Sequence, residues 1–207
     1  PDGSPVTLAE KRAEKVNVSG LLRALPDVPI VAEELVSIGQ VPTDIGRLFF
    51  LVDALDGTRE FCAGRDEFTV NVAVVEDAVP VVGVVYSPAL KVLYAAEHDG
   101  SGVGHAERCE ISGGCASLAR SVIKTRNAPG RQTILATRSH MTDETKTYLE
   151  QHRDAELKNI GSSLKFCLLA EGKADLYPRF GTTMEWDTAA GDAVLRAAGG
   201  NTKTLDG

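Results

Sequence analysis

Leu48-Phe49-Phe50-Leu51-Val52-Asp53-Ala54-Leu55-Asp56-Gly57-Thr58 is the stretch on which the fold turns. A continuous apolar run without polar alternation predicts a strand buried on both faces, here ended abruptly by Asp53. Two carboxylates three apart then stand at the end of that strand, followed by a glycine and a hydroxyl. A strand cannot aim residues i and i+3 at one point, but a tight turn at its end can, and Gly57 supplies the backbone freedom for it. Charged groups there are costly unless paired or bound to a cation. An Asx turn with a helix cap accounts for the same six residues, 53–58, equally well.

Upstream, Ile30 to Ala32 reads as a short buried strand ending in Glu33-Glu34. Residues Thr7 to Leu25 read as a helix: Thr7 with Glu10 fits a capping box, and Ala9, Ala13, Val16 and Leu21 roughly keep one face apolar. Downstream, strands at Phe68–Val75, Val79–Tyr86 and Val92–Ala96 are separated by turn residues and predict an antiparallel meander. Residues Gly100–Arg131 are polar and glycine-containing, suited to edge strands and a crossing into a second lobe. There the pattern predicts a strand at Thr133–Thr137, a helix from Thr142 to about His152 and a strand near Leu157–Ile160. A helix at Ser163–Glu171, a strand at Ala174–Tyr177 and a last helix from about Thr188 to Ala198, stopped by Gly199-Gly200, complete it. The expectation is a mixed α/β chain, with an N-terminal lobe over 1–130 and a second lobe over 131–207 that closes the site.

The formal net charge of −7 over 207 residues argues against a nucleic-acid binder, which needs a basic face to neutralise phosphates. It does not argue against a small anionic substrate met by metal ions. No run approaches the roughly 18 apolar residues of a membrane span, and no charged-then-apolar leader opens the chain. Cys62, Cys109, Cys115 and Cys167 form no Cys-x-x-Cys pair and suggest neither a zinc site nor a disulfide framework. A reducing cytoplasm is the expected setting. Pro1 at the start and Leu-Asp-Gly at the end read as a chain trimmed at both ends.

Three acidic clusters carry the chemistry. The first is Asp53 with Asp56. The second is Trp186-Asp187-Thr188-Ala189-Ala190-Gly191, where Asp187 is expected to open the last helix; its plain reading is an N-cap, while the small residues after it would leave the helix N-terminus open to an anion. The third is Glu33-Glu34, which alone reads as a solvated strand edge. Together they offer hard oxygen ligands with no His or Cys companion, a set suited to Mg²⁺ or Mn²⁺ rather than zinc.

Asp53-Ala-Leu-Asp-Gly-Thr-Arg-Glu-Phe61 resembles the Asp-Pro-Leu/Ile-Asp-Gly-Thr signature of the lithium-sensitive, inositol monophosphatase-like phosphatases, and Trp186 to Gly191 resembles their second signature, Trp-Asp-x-Ala-Ala-Gly. Gly3–Thr7, Glu67–Ala73, Gly83–Pro88, Ser139-His140, Gly161–Cys167 and Leu176–Gly181 resemble the bisphosphate nucleotidase branch of that family. The resemblance runs nearly end to end and implies an α+β fold, a layered α/β/α/β/α sandwich with its site between two lobes.

It further implies that Glu33, Asp53, Asp56, Asp187 and the carbonyl of Leu55 hold two or three Mg²⁺, with Mn²⁺ able to substitute and Li⁺ inhibitory. Gly57 and Thr58 would donate backbone N–H groups to the scissile phosphate. Thr58, Glu10 and Glu33 would be catalytic, the Thr58 hydroxyl and the acid of a Val-Thr-x-Ala-Asp motif readying the attacking water. Two departures stand out: Ala54 replaces the usual proline, and Glu10 stands where the family has aspartate. Glu10 therefore has two open readings, capping box and water activation.

The implied reaction is hydrolysis of 3'-phosphoadenosine 5'-phosphate to AMP and phosphate, clearing a by-product of sulfate assimilation. Lys165 and Arg179 are candidates for the second phosphate, Ser162, Ser163 and Asp187 for further substrate contacts, and His140 for the ribose or base. Taken singly, Lys165 reads as a solvated helix lysine and Arg179 as a surface ion pair. The alternatives are an inositol monophosphatase or fructose bisphosphatase, which share the metal motifs, or a non-catalytic metal- or nucleotide-binding relative. The implied partner is a small phosphorylated nucleotide, with no nucleic acid, the chain a monomer or homodimer in the cytoplasm with at most loose contact to the inner membrane face.

Overall fold

The computed structural model describes residues 7–113, 115–138 and 141–204. In chain order the elements are α1 (Leu8–Ala24), β1 (Ile30–Ala32), α2 (Glu33–Ser37), β2 (Leu48–Asp56), α3 (Thr58–Cys62), β3 (Thr69–Glu76), β4 (Val79–Ser87), β5 (Val92–His98), β6 (Gly104–Ser112) and β7 (Cys115–Val122). The chain continues with β8 (Thr133–Thr137), α4 (Asp143–Glu150), β9 (Glu156–Ile160), α5 (Leu164–Ala170) and α6 (Glu185–Ala197).

β1 to β7 form a seven-stranded sheet in sequence order, β1 parallel to β2 and each later pair antiparallel. The apolar run of β2 is explained by what covers it. Phe50 and Val52 pack with Ile30 and Ala32 under Val18 and Leu21 of α1. Leu51, on the other face, joins Ala73, Val85 and Tyr94 against Phe166, Leu169, Ala190 and Val194 of α5 and α6. A strand covered on both sides has no polar face to alternate with. Each fully buried Val, Leu or Phe contributes about 1.5–3 kcal/mol, which helps offset the cost of carrying Asp53 into the same interior.

Beyond α5 and α6 lies the parallel pair β8–β9. Leu135 of β8 faces the α5/α6 layer, while Ile134 and Ala136 pack with Leu149 of α4. The layers therefore run α1/α2, seven-stranded sheet, α5/α6, two-stranded sheet, α4: the expected α/β/α/β/α sandwich.

The departures from expectation have local causes. α1 is capped as predicted, Thr7 Oγ1 accepting from Glu10 N at 3.2 Å and a Glu10 oxygen accepting from Thr7 N. Its inward face is acidic, however: Glu10 and Glu14 are buried while Val16 is 72% exposed. Glu14 is used there, its Oε2 accepting from Glu34 N at 2.7 Å at the start of α2. Residues 174–177 make only a single bridge, Ile134 to Leu176, and no strand. α6 begins three residues before its predicted start, so Asp187 lies at its third position, with Met184 as cap. The small residues after Asp187 answer a packing demand rather than clearing space for an anion. A Cβ on Gly191 would stand 2.7 Å from Phe166 Cδ2, and one on Gly83 of β4 would stand 2.3 Å from Ala190 O. α6 sits directly on the sheet backbone.

Candidate active site

Four carboxylates from three places in the chain meet at the C-terminal end of β2. β2 does not stop at Asp53 but continues to Asp56, and its register against β3 shifts between those two residues. That irregularity, rather than a turn after the strand, resolves the geometric problem of aiming residues three apart at one region. Gly57 follows with φ of 91°, and a Cβ there would lie 3.0 Å from the Glu67 carbonyl oxygen, so both the left-handed backbone and the close approach call for glycine. Glu33 opens α2 at the end of β1, and Asp187 stands in the first turn of α6.

The acids feel one another strongly. Burial, then the charges of Asp56, Glu33 and Asp187, hold Asp53 well above the usual carboxylate range. Burial and the Asp187 charge push Glu33 up to about 7. Burial and Asp187 raise Asp56 to about 6, against the pull of Lys165, the Ser163 N–H and Arg179. Like charges gathered in a buried place behave in this way.

Three of these acids have one oxygen anchored. Asp53 Oδ1 accepts from Leu55 N at 2.9 Å. Asp56 Oδ2 accepts from Ser163 N. Asp187 Oδ2 accepts from Thr183 Oγ1 at 2.9 Å and Met184 N at 3.1 Å. Anchoring one oxygen orients the other, as carboxylates that ligate a cation are commonly held. Among the described residues no trio of acidic, histidine or cysteine side chains is already closed into a cation cage, although Glu33 and Asp53 are near enough to share a side-chain hydrogen bond. An all-oxygen donor set of this charge fits a hard divalent ion of the Mg²⁺ type.

Beside the acids stands Thr58, whose hydroxyl donates to Glu10 Oε1 at 2.5 Å and lies 3.4 Å from Leu55 O. Glu10 thus meets both readings at once, one oxygen serving the helix cap and the other Thr58.

Across the site lie two cations. Lys165 is 2% exposed, not a solvated helix residue. Its Nζ donates to Ser162 O at 2.5 Å and Ile160 O at 3.3 Å and lies 4.9 Å from the Tyr177 ring centre. Burial lowers its pKa to about 8, with Asp56 opposing and Arg179 adding to the shift. Arg179 is half-buried and makes no ion pair among the described residues; it donates to Tyr177 Oη at 3.3 Å and Thr182 O at 2.8 Å, while its buried Nε has no partner among them. The two cations lie close enough for the Arg179 charge to lower the Lys165 pKa further. Between them and the acids, Ser162 adopts a left-handed φ of 52°, a strained setting for a non-glycine residue that is common at functional sites. Its Oγ accepts from Leu164 N at 3.3 Å.

Of the residues expected to form the site, the structure brings together Glu10, Glu33, Asp53, Leu55, Asp56, Gly57, Thr58, Ser162, Ser163, Lys165, Arg179 and Asp187. His140 lies outside the described residues. Sequence reading missed Thr69 and Asn71, which pack behind Asp56; Asn71 lies across from Asp53 in the ladder, an alignment that strand register would have supplied.

Clustered acids facing a buried lysine and an arginine, on a five-layer α/β/α/β/α fold, define a phosphatase. The chain belongs to the inositol monophosphatase family, whose family model matches residues 1–207. It is 45% identical over 210 residues to 3'(2'),5'-bisphosphate nucleotidase CysQ of Salmonella typhimurium, covering 99% of this chain and 80% of that protein. The protein of the same name from Escherichia coli K12 is 43% identical, covering 100% of this chain and 78% of the relative. Among solved structures, the crystal structure of CysQ from Bacteroides thetaiotaomicron, a bacterial member of the inositol monophosphatase family, superposes with a TM-score of 0.77 at 39% identity, covering 96% of this chain and 75% of that one.

Proposed function

We propose that this chain is a Mg²⁺-dependent 3'(2'),5'-bisphosphate nucleotidase that hydrolyses 3'-phosphoadenosine 5'-phosphate to AMP and phosphate. The observation that carries this reading is the placing of Lys165 and Arg179 across from Asp56. A monophosphate needs one anion pocket beside the acids, whereas a bisphosphate needs a second, separately held one. The full-length similarity to relatives bearing that name supports it.

In this reading Glu33, Asp53, Asp56, Asp187 and the Leu55 carbonyl would hold two or three Mg²⁺, with Mn²⁺ able to substitute and Li⁺ inhibitory. Bound Mg²⁺ would supply charge neutralisation on the transferring phosphoryl group and at the attacking and leaving oxygens. The protein's own part is positional. The N–H groups of Gly57 and Thr58 hold the scissile phosphate, at the start of the short helix α3. Glu10 accepts the Thr58 proton, so the Thr58 oxygen is free to accept one from the attacking water and orient it in line. Glu33 stands on the same side as a second base. Lys165, Arg179 and Ser162 hold the non-reacting phosphate, while Ser163 supports them from behind, its N–H committed to Asp56 and its hydroxyl to Thr69 and Asn71; the resemblance gives His140 the ribose or base.

The working unit is a lobe over 1–130 closed by a lobe over 131–207, acting as monomer or homodimer in the cytoplasm. No helix among the described residues is long and apolar enough to cross a membrane.

The deciding experiment is Mg²⁺-dependent phosphate release from 3'-phosphoadenosine 5'-phosphate, inositol 1-phosphate and fructose 1,6-bisphosphate in parallel, with Asp56→Asn as control. A strong preference for the adenosine substrate, lost in the control, supports both site and specificity. A preference for inositol or sugar phosphate keeps the acids but removes the assigned roles of Lys165 and Arg179. No turnover leaves a binding protein.

A further inference from the structure

Behind Asp56 lies a buried chain of polar side chains that none of the roles above uses fully. Thr69 and Asn71 are 0% and 1% exposed and share one face of β3 by the two-residue period of a strand. Ser163, 2% exposed, reaches them from the start of α5, 94 residues from Thr69. Ser163 Oγ stands 2.8 Å from Thr69 Oγ1 and 2.7 Å from Asn71 Oδ1. Thr69 Oγ1 in turn stands 3.5 Å from Asp56 Oδ2, the oxygen that accepts the Ser163 backbone N–H.

The protons of this chain can run only one of two ways. If Ser163 donates to Asn71 Oδ1, Thr69 must spend its single proton on Ser163. Its contact with Asp56 then sets lone pair against lone pair, and Asn71 Nδ2 is buried with no partner. Turning the Asn71 amide over exchanges two groups of nearly the same shape. Nδ2 then donates to Ser163 Oγ, Ser163 donates to Thr69 Oγ1, and Thr69 donates to Asp56 Oδ2. The orphaned donor gains its bond, and every proton points toward the carboxylate. The oxygen that takes the orphan's former place is an acceptor, which tolerates burial more readily than an unpaired N–H.

We propose that Asn71, Ser163 and Thr69 form a one-way hydrogen-bond relay that positions Asp56, holding its Oδ2 from behind so that its other oxygen is presented to the cation. A hydrogen bond to an ionised acceptor is stronger than a neutral one, and chained donors reinforce one another. All three groups are short and enclosed, so they hold Asp56 without rotamer freedom of their own. Because Ser163 also begins the helix that carries Lys165, the relay ties the second-phosphate side of the site to a metal ligand.

The proposal rests on Asp56 binding Mg²⁺, and its test reads cation binding directly. Mg²⁺ titration calorimetry on the whole chain would compare wild type with Thr69→Val, Thr69→Ser and Ser163→Ala, with melting in EDTA measured alongside. Thr69→Val and Ser163→Ala are expected to weaken Mg²⁺ by about 10–100-fold, while Thr69→Ser, which keeps the hydroxyl, binds close to wild type. Should Thr69→Val fail to fold, Ser163→Ala cuts the same chain with the smaller change and decides. Lowered melting temperatures with unchanged Mg²⁺ affinity would make the trio a packing device and overturn the relay. A wild-type chain that binds no Mg²⁺ would overturn the cation reading of Asp56, and the relay with it.

Discussion

The Thr58 hydroxyl donates to Glu10 Oε1 at 2.5 Å, joining residues 48 positions apart on two different elements. Glu10 is 5% exposed, and its other oxygen is committed to the cap of α1. The cap therefore does more than start a helix: it fixes where the acid beside Thr58 stands. One glutamate side chain thus reaches both Thr7 N and the Thr58 hydroxyl.

Glu10→Gln keeps the shape but cannot accept a proton. If Glu10 draws the proton from Thr58, kcat should fall by about 10²–10⁴-fold, with Mg²⁺ affinity little changed. Glu10→Asp withdraws the carboxylate from Thr58 and should leave intermediate activity. Steady-state kinetics of the two variants decide the matter, and a Glu10→Gln enzyme with wild-type kcat would leave Glu10 only its capping role.

Asp53 carries the heaviest charge conflict, buried to 1% exposure among Asp56, Glu33 and Asp187. A cation that binds the folded form alone stabilises it by about 2.7 kcal/mol at a hundredfold excess over Kd. For a chain of this size that is roughly 5–10 °C in Tm. Mg²⁺ should therefore raise the melting temperature and EDTA reverse it, while Asp53→Asn, with the repulsion relieved, should melt higher than wild type in EDTA yet gain little from Mg²⁺. Scanning calorimetry with and without Mg²⁺ tests this; an equal Mg²⁺ response in both proteins would remove Asp53 from the ligand set.

How much of this was readable from the sequence depends on distance along the chain. Asp53, Asp56, Gly57 and Thr58 lie within six residues, and their chemistry shows in the local string. Even there the string suggested a strand followed by a turn, whereas β2 runs through both acids with a register shift, since an irregularity leaves no mark on composition. The polar stretch after Gly100 suggests edge strands, but only β7 is one: β6 lies between β5 and β7, and His105, Glu107, Arg108 and Glu110 interrupt the alternation that would mark it. Lys165 read as solvated because a lysine usually is; its burial follows from the Ile160 and Ser162 carbonyls and the Tyr177 ring. Thr69 and Asn71 lie in the Glu67–Ala73 stretch that carries the resemblance, but nothing in the string ties them to the site, since their partner Ser163 is 92 to 94 residues away.

Gly83 tests how the sheet sets the position of α6. An alanine Cβ there would meet Ala190 O at 2.3 Å and Ala193 Cβ at 2.9 Å, and a backbone oxygen cannot swing aside as a side chain would. Gly83→Ala should cost about 1–3 kcal/mol or more in urea denaturation. Since Asp187 rides on the first turn of the displaced helix, Mg²⁺ affinity should fall with it. A variant of wild-type stability and affinity would show that α6 is free to shift.

Asp175 gives a pH prediction far from the acidic site. Its carboxylate accepts from Arg126 Nε and Nη2, both at 2.8 Å, and from Thr133 N at 2.7 Å. The Arg126 hydrogen bond is the main cause holding its pKa below the usual value. A folded-state pKa below the unfolded one means the stabilisation is fully present above about pH 4, the unfolded value, and is lost as pH falls through the folded value. Asp175→Asn keeps the shape but removes the charge. Arg126 is 38% exposed, so solvent screening keeps the loss at pH 7 modest. Urea midpoints of wild type and Asp175→Asn at pH 7, 4.5 and 3 should show a gap that is constant between the first two and narrows at the third. A gap as wide at pH 3 as at pH 7 would mean that shape at position 175, not its charge, stabilises the join between Arg126 and β8.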